Sequence, residues 1–300
     1  MKKILSSLCI VSALFISLVS CDTDAEYTTY NGPGFIMFSD TLYEFPVVNS
    51  VDSYNIPVVA TEACDYDRTL AVEIIDSKSN AVEGRHYALK SNTITIKAGE
   101  LVSNVEVVGV HENIEIQDSL GFALRLISGK ENQSELYGVD ANVLLIKACE
   151  FDINAFTGYC FIARSTYLDN YSNVDGRLVY SILDPENENT IIIKDYFYDG
   201  YDVRIRFTTD DILNPLIEFD EQPFGPTAEA FGTLYGTDGI INMYQPTMYT
   251  SYYSSLEKFI FQYMGLYMPS LAGYNTVGIF VNAVRWISDD EAAKLKREGY

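Results

Sequence analysis

Histidine is almost missing from this chain: His86 and His111 are the only two in 300 residues, and both lie in the first half. A Ser-His or Cys-His arrangement therefore has no local support in the second half. Cysteine is scarce as well. Cys9 and Cys21 fall in the first segment, leaving Cys64, Cys149 and Cys160, with no pair at CxxC spacing. A zinc site is not expected from such a set. Two readings of these three cysteines stay open. Cys149 and Cys160 pair in an oxidising compartment, or all three are small buried residues, as free cysteine usually is. Basic residues are few, 20 Lys and Arg against 42 Asp and Glu, for a net charge of −22. A chain so acidic repels nucleic acid and anionic headgroups, which excludes a nucleic-acid partner. The acidity is spread along the chain, as on a solvated surface. Four catalytic signatures are also missing: the GxSxG elbow, HExxH, the P-loop and the GxGxxG turn. No catalytic residue, metal or cofactor is expected. Asp210-Asp211 and Asp220-Glu221 are close in sequence, but neighbours on a strand point to opposite faces and loop carboxylates are solvated. A two-carboxylate hydrolase stays as the minor alternative.

What is present begins with an address. Lys2 and Lys3 precede an apolar run from Ile4 to Val19, followed by Leu18-Val19-Ser20-Cys21. A charged start and a short apolar stretch make an export signal, too short for a comfortable membrane span. The ending resembles the bacterial lipoprotein signal, which implies removal of residues 1–20 and acylation of Cys21. A plain secretory signal with an incidental cysteine is the alternative. Residues 21–33 then form an acidic tether with Asp22, Asp24 and Glu26. In lipoproteins of the Bacteroidetes type, acidic residues at this place resemble the signal for the outer face of the outer membrane. The implied partner is outer-membrane lipid, held through acylated Cys21. A multiply acylated cysteine anchors stably where one acyl chain does so only marginally.

Residues 34–148 read as short strands separated by polar turns. Gly34–Phe38, Tyr54–Ala60, Thr69–Ile75, Asn92–Lys97, Val105–Gly109, Phe122–Ile127 and Asn142–Lys147 show strand composition or alternation. About seven strands in this span suit an antiparallel sandwich. The series Glu83-Gly84-Arg85-His86-Tyr87, Ile94 to Glu100 and Phe122-Ala123-Leu124-Arg125-Leu126 resembles the Calx-beta type of immunoglobulin-like domain. Some relatives of that type bind calcium at one end of the sandwich. Here Glu112, Glu115 and Asp118 occupy a comparable loop but lack a dense acidic run, and calcium takes six to eight oxygens.

From residue 149 to 300 the strands lengthen and become more aromatic. Tyr201 to Phe207 alternates strictly, with Tyr201, Val203, Ile205 and Phe207 on one face and Asp202, Arg204 and Arg206 on the other. Tyr198-Asp199-Gly200 marks the hairpin turn before it. Further strands are expected at Arg177–Leu183, Asn189–Tyr196, Ala230–Leu234, Gly239–Tyr244, Leu256–Tyr267 and Thr276–Trp286. They could close as an up-and-down barrel, or pack as a second sandwich. A short helix ends the chain, with Ser288 and Glu291 as a capping box and Lys294, Lys296 and Arg297 at its far end. Asn189 to Asp195, Gly200 to Phe207, Gln222 to Thr233 and Trp286 to Ala292 resemble a C-terminal domain of unknown function in Bacteroidetes surface lipoproteins. That resemblance implies a lipocalin-like antiparallel β-barrel, an immunoglobulin-like partner upstream and a cell-surface address. It carries no catalytic residues. Many such lipoproteins belong to glycan-uptake systems, an association by neighbourhood and not by site. The expected fold class is all-β: an immunoglobulin-like sandwich, then a lipocalin-like barrel with a short C-terminal helix.

The candidate ligand-binding residues are aromatic. The chain holds 23 Tyr and 16 Phe but one Trp. Tyr244, Gln245, Tyr249, Tyr252 and Tyr253 cluster in one loop region, with Asn242 nearby and Tyr263 and Tyr267 behind. Such rings could stack on sugars while amides bind their hydroxyls, because Tyr offers a large rigid face at low entropic cost. The competing reading is that they fill a β-core, where aromatics belong by propensity. Tyr196, Tyr198 and Tyr201 form a second cluster with the same two readings. Asp40-Thr41-Leu42 and Asp118-Ser119-Leu120 resemble O-glycosylation tripeptides of exported Bacteroidetes proteins. The function expected is non-catalytic binding of glycans or nutrients, with adhesion to another outer-membrane protein as the alternative.

Overall fold

Buried and exposed residues alternate along almost every strand, so the period of two in the sequence becomes two sheets' worth of core-facing side chains. The structure, a computed structural model, describes residues 32–50, 52–133, 138–172, 174–273 and 275–300. The signal segment 1–20, Cys21 and the tether as far as residue 31 lie outside the described residues. Among the described residues, no helix is long and apolar enough to cross a membrane.

Among the described residues the first half is a sandwich of nine strands: β1 (Ile36–Phe38), β2 (Leu42–Val47), β3 (Tyr54–Ala60), β4 (Arg68–Ile74), β5 (Tyr87–Leu89), β6 (Thr93–Ile96), β7 (Val102–Gly109), β8 (Leu120–Ile127) and β9 (Asp140–Lys147). One sheet has the order β1-β3-β7-β5 and the other β2-β9-β8-β4-β6. Their inner faces supply one core, with Ile56, Val58, Ile94, Ile96, Val105, Val107, Leu124 and Val143 all buried. Tyr87 of one sheet stacks on Phe122 of the other, ring centroids 3.8 Å apart. Two strands were not anticipated, β2 and β5. Pro46 interrupts β2 as a sequence signal. It is tolerated because β2 is an edge strand, paired in parallel with β9 alone from Leu42↔Asn142 to Val47↔Lys147.

The second half holds β10 (Gly158–Ser165), β11 (Arg177–Leu183), β12 (Thr190–Lys194), β13 (Val203–Phe207), β14 (Ile217–Glu218), β15 (Gln222–Pro226), β16 (Ile240–Tyr244), β17 (Tyr252–Ser254), β18 (Phe259–Tyr267) and β19 (Thr276–Trp286). Helices α1 (Thr166–Tyr171), α2 (Thr227–Phe231) and α3 (Asp289–Glu298) complete it. The strands form one antiparallel sheet in the order β14-β13-β12-β11-β10-β19-β18-β16-β15, with β17 also on β18. β18 therefore carries two partners on one edge: its first residues pair with β17 and its last with β16.

That forked edge lets the sheet close. A bridge joins Leu216 to Tyr252, with Ile217 N–H donating to Ser251 O and Tyr253 N–H to Pro215 O. Beside it the seam between β15 and β13 is made by one side chain. The Gln222 amide accepts from Arg204 N–H at 2.8 Å and donates to Arg204 O at 3.1 Å. A primary amide has the donor and acceptor of a peptide unit, so it stands in for a strand residue.

The barrel is filled. Phe151, Phe156, Phe207, Tyr253 and Trp286 plug the end nearer the sandwich, with Phe156 edge-on to Trp286 at 5.1 Å. Tyr167, Phe197, Phe224 and Phe280 plug the other. Between them Tyr196 donates to Gln262 Oε1 at 2.7 Å, and Asn282 Nδ2 donates to the same oxygen at 3.1 Å. Cys160 is in this core, and burial pushes its thiol up to about 12. Cys149 is exposed and Cys64 half-buried, and all three are free. The pairing of Cys149 with Cys160 therefore does not form, and only one of the three is a buried residue.

Helix α3 starts where the capping box puts it: Glu291 N–H donates to Ser288 Oγ at 3.2 Å. It ends at Gly299, whose φ of +99° suits a residue without Cβ. The helix lies on the outer face of β10 and β11, with Ala292 buried and Lys296 Nζ 4.0 Å from the Tyr159 ring centre. One expected strand is corrected. Ala230–Leu234 is the end of α2 and the turn after it, because Ala228, Glu229 and Ala230 are good helix formers and Gly232, at φ +70°, stops the turn. β15 went unforeseen because Pro223 and Pro226 read against a strand, and it too pairs by backbone on one edge only.

Gln222→Ala removes both seam bonds while leaving the paired edge of β15 in place. It is expected to lower unfolding stability by about 1–2 kcal/mol in urea at unchanged slope. Wild-type stability in that variant would show that the seam does not depend on this amide.

Candidate functional site

Apart from Gln262, β18 is apolar on both faces. Ile260, Gln262, Met264 and Leu266 point into the barrel and are buried, while Phe259, Phe261, Tyr263 and Tyr267 point outward and are half-buried. The outward position between Tyr263 and Tyr267 is Gly265. Its missing side chain makes room for the Tyr244 ring: a Cβ there would lie 2.2 Å from Tyr244 Cζ. Aromatic rings thus run along the whole outer face of the strand.

Loop residues add a second layer. Tyr249 lies parallel to Tyr263, centroids 4.8 Å apart and planes at 14°. Tyr252 lies over Phe261 at 5.3 Å and 22°. In each pair one ring face is covered by the inner ring. The outer rings remain 43% and 40% exposed, enough to leave broad apolar surface facing solvent. Met248, just before Tyr249 in sequence, is 82% exposed. On the adjoining β19, Ile279 sits opposite Gly265 and is also exposed.

One end of the stripe is polar. Asn242 Nδ2 donates to Glu221 Oε1 at 2.9 Å, and the Tyr267 hydroxyl donates to the same oxygen. These two donors, Tyr267 first, hold the Glu221 carboxyl below its ordinary range. It is an ionised acceptor beside the rings at neutral pH, able to accept from a ligand hydroxyl.

The five candidate residues divide. Tyr244, Tyr249 and Tyr252 belong to the outer stripe. Tyr253 does not: it is buried, its ring packs edge-on to Phe156 and Phe207, and its hydroxyl donates to Thr208 O at 2.9 Å. It follows Tyr252 on a strand and so points to the other face. Gln245 is occupied as well, since its Oε1 accepts from Phe219 N–H at 3.0 Å. Phe259, Phe261 and Tyr263 were not among the candidates, although the alternation Phe-x-Phe-x-Tyr-x-Gly-x-Tyr is visible in the sequence. In the second cluster, Tyr196 is buried, and Tyr198 lies against Gly225 with its hydroxyl 2.5 Å from that of Tyr167. In the sandwich, Asp118 Oδ2 accepts from Glu115 N–H at 2.8 Å, and among the described residues no group of three or more His, Cys, Asp or Glu is placed to hold a metal. Thr41 and Ser119 are both exposed.

Residues 136–298, which hold the barrel and the whole stripe, match the family described as Domain of unknown function (DUF4984). The chain belongs to the DUF4984 family. No curated protein matches it. Among solved structures, this DUF4984 chain is similar to the apo form of the Calx CBD1 domain, at 13% identity and a TM-score of 0.32, covering 39% of this chain and 98% of that one. It is similar to a protein of unknown function from Bacteroides ovatus, at 12% identity and a TM-score of 0.34, covering 83% and 90%. It is also similar to an auxiliary nutrient binding protein from Bacteroides thetaiotaomicron, at 12% identity and a TM-score of 0.32, again covering 82% of this chain and 90% of the other.

Gly265→Ala forces Tyr244 off the strand, at an expected cost of about 1–3 kcal/mol. Tyrosine-selective nitration read by mass spectrometry should rise at Tyr244 and stay unchanged at Tyr253. Unchanged nitration of Tyr244 would mean that its ring does not occupy the Gly265 gap.

Proposed function

We propose that this DUF4984 protein is a non-catalytic binding module that takes saccharide on the outer aromatic stripe of β18, while tethered by lipid to the outer face of the outer membrane. The observation that carries the binding role is the pair of exposed rings, Tyr249 and Tyr252, each held flat on an inner ring. A ring fixed parallel to the surface is pre-organised to stack on the C–H face of a sugar, because its orientation is set before the ligand arrives. The ionised Glu221 carboxylate and the Asn242 amide at the end of the stripe supply polar contacts for hydroxyls. The anchor is supported by sequence alone: Lys2 and Lys3, the apolar run to Val19 and the cysteine at position 21.

Glycan-array screening followed by calorimetry tests the binding role. The variant Tyr249→Ala with Tyr252→Ala is expected to lose about tenfold to a hundredfold in affinity, two ring contacts of roughly 1 kcal/mol or more each. Undiminished affinity, or no saccharide bound by the wild type, would sink this reading. Incorporation of labelled palmitate should mark the wild-type chain and be lost in Cys21→Ala; labelling retained in that variant would remove the anchor.

One observation favours a protein ligand instead. The apolar surface continues from the stripe onto Ile279 and Met248, and contiguous exposed apolar area marks interaction surfaces. A stoichiometric partner co-purified from outer membranes, released by the same double variant, would favour adhesion over saccharide capture.

A further inference from the structure

A cleft of about 690 Å³ opens at the barrel end away from the sandwich, between α1, α2 and the last residues of α3. Its volume falls within the range of small-ligand sites, which form in the mouths of β-barrels.

Its floor is rigid and aromatic. Tyr198 rests on Gly225, where a Cβ would come within 2.1 Å of the ring, and its hydroxyl meets that of Tyr167 at 2.5 Å. Tyr167 is fixed in turn by edge contacts to Phe224 at 4.9 Å and Phe197 at 5.3 Å. Tyr171, one helical turn on, presents a ring that is 41% exposed and 5.1 Å from Tyr167.

The rim is negative. Among the described residues, Asp175, Glu229 and Glu298 line it with a single cation, Arg177. The Arg177 guanidinium is already engaged: Nε and Nη2 donate to Asp195 O at 3.3 and 3.1 Å, and Nη2 lies 3.5 Å from Asp199. Glu298 sits 3.8 Å from Lys294. The Glu229 and Asp175 carboxylates make no hydrogen bond or ion pair among the described residues. Glu229 is close enough to Tyr198 to disfavour ionisation of its hydroxyl, a lesser effect than burial of the ring, and Arg177 acts on it in the opposite sense. A carboxylate without an ion-pair partner thus lines the same cleft as Tyr198 and Tyr171, whose rings are held by packing.

We infer that this cleft binds a small organic cation, with an alkylammonium head against Tyr198 and Tyr171 and Glu229 as its counter-charge. Both the aromatic rings and the carboxylate attract positive charge. A neutral ligand of the same shape would gain only the apolar contact. The site is separate from the outer stripe, and the inference does not rest on saccharide binding.

Calorimetric titration of the full-length protein with choline tests it, beside the neutral isostere in which a tert-butyl group replaces the trimethylammonium. Choline is expected to bind at least about tenfold more tightly than the isostere, and Glu229→Gln to weaken choline by about tenfold. Glu229 is exposed and unpaired, so this variant keeps the fold. Tyr249→Ala with Tyr252→Ala should leave choline binding untouched. Equal affinity for choline and its isostere would overturn the assignment. So would an unchanged affinity in Glu229→Gln, or no choline binding by the wild type.

Discussion

β18 faces a constraint that most strands escape: it is apolar inside and outside at once. An antiparallel strand usually has one face in a core and one in water, and a strand apolar on both faces needs a cover on both. Inside, Ile260, Met264 and Leu266 meet the barrel core. Outside, the only helix of more than two turns among the described residues, α3, lies elsewhere, on β10 and β11. The outer cover of β18 is therefore assembled from single rings: Tyr244 over Gly265, Tyr249 over Tyr263 and Tyr252 over Phe261. Rings can cover rings only on one side. The free sides become the molecule's aromatic surface, so the candidate site is a consequence of how this strand solves its burial problem.

The same double apolarity weakens the usual control of register. Where one face is polar, a slip of one residue exposes the core and is costly. On β18 a slip would exchange Ile, Met and Leu for Phe and Tyr, a milder change. The buried amides distinguish the two states. Gln262 and Asn282 are directly opposite each other on β18 and β19, both buried, and joined with Tyr196 by hydrogen bonds. Slipped outward, that pair would lose Tyr196. The arrangement also has a cost, since Gln262 Nε2 and Asn282 Oδ1 are buried without a hydrogen-bond partner among the described residues. With aromatic plugs at both ends and this trio between them, the barrel interior is occupied, and the ligand surfaces proposed lie on its wall and at its mouth.

Closure depends on a comparably small device. β18 splits its edge between β16 and β17, and the remaining seam is made by the Leu216–Tyr252 bridge and the Gln222 amide. Because β15 and its prolines need only one backbone partner, the seam can pass through a segment that a regular ladder would reject.

Much of the architecture was legible in the sequence because alternation and capping are local. Val203, Ile205 and Phe207 are buried with Arg204 and Arg206 exposed, and α3 starts at Ser288, as periodicity and cap chemistry require. The strands that escaped are β2, β5, β10, β14, β15 and β17; all but β10 are short or carry proline, and β10, like the others, takes its pairing from neighbours set by the tertiary fold. Tyr252 and Tyr253 show the boundary for the site. Composition can say that both are aromatic, and strand alternation that they face opposite ways. Which of them faces water is decided by the sheet that β17 joins and the direction in which it curls. The sequence by itself determined an all-β chain with an acidic surface, an aromatic second half and a lipoprotein-like start. Only the tertiary structure decided that Tyr249 and Tyr252 lie flat on a wall, because burial is a property of what packs against a residue and not of the residue.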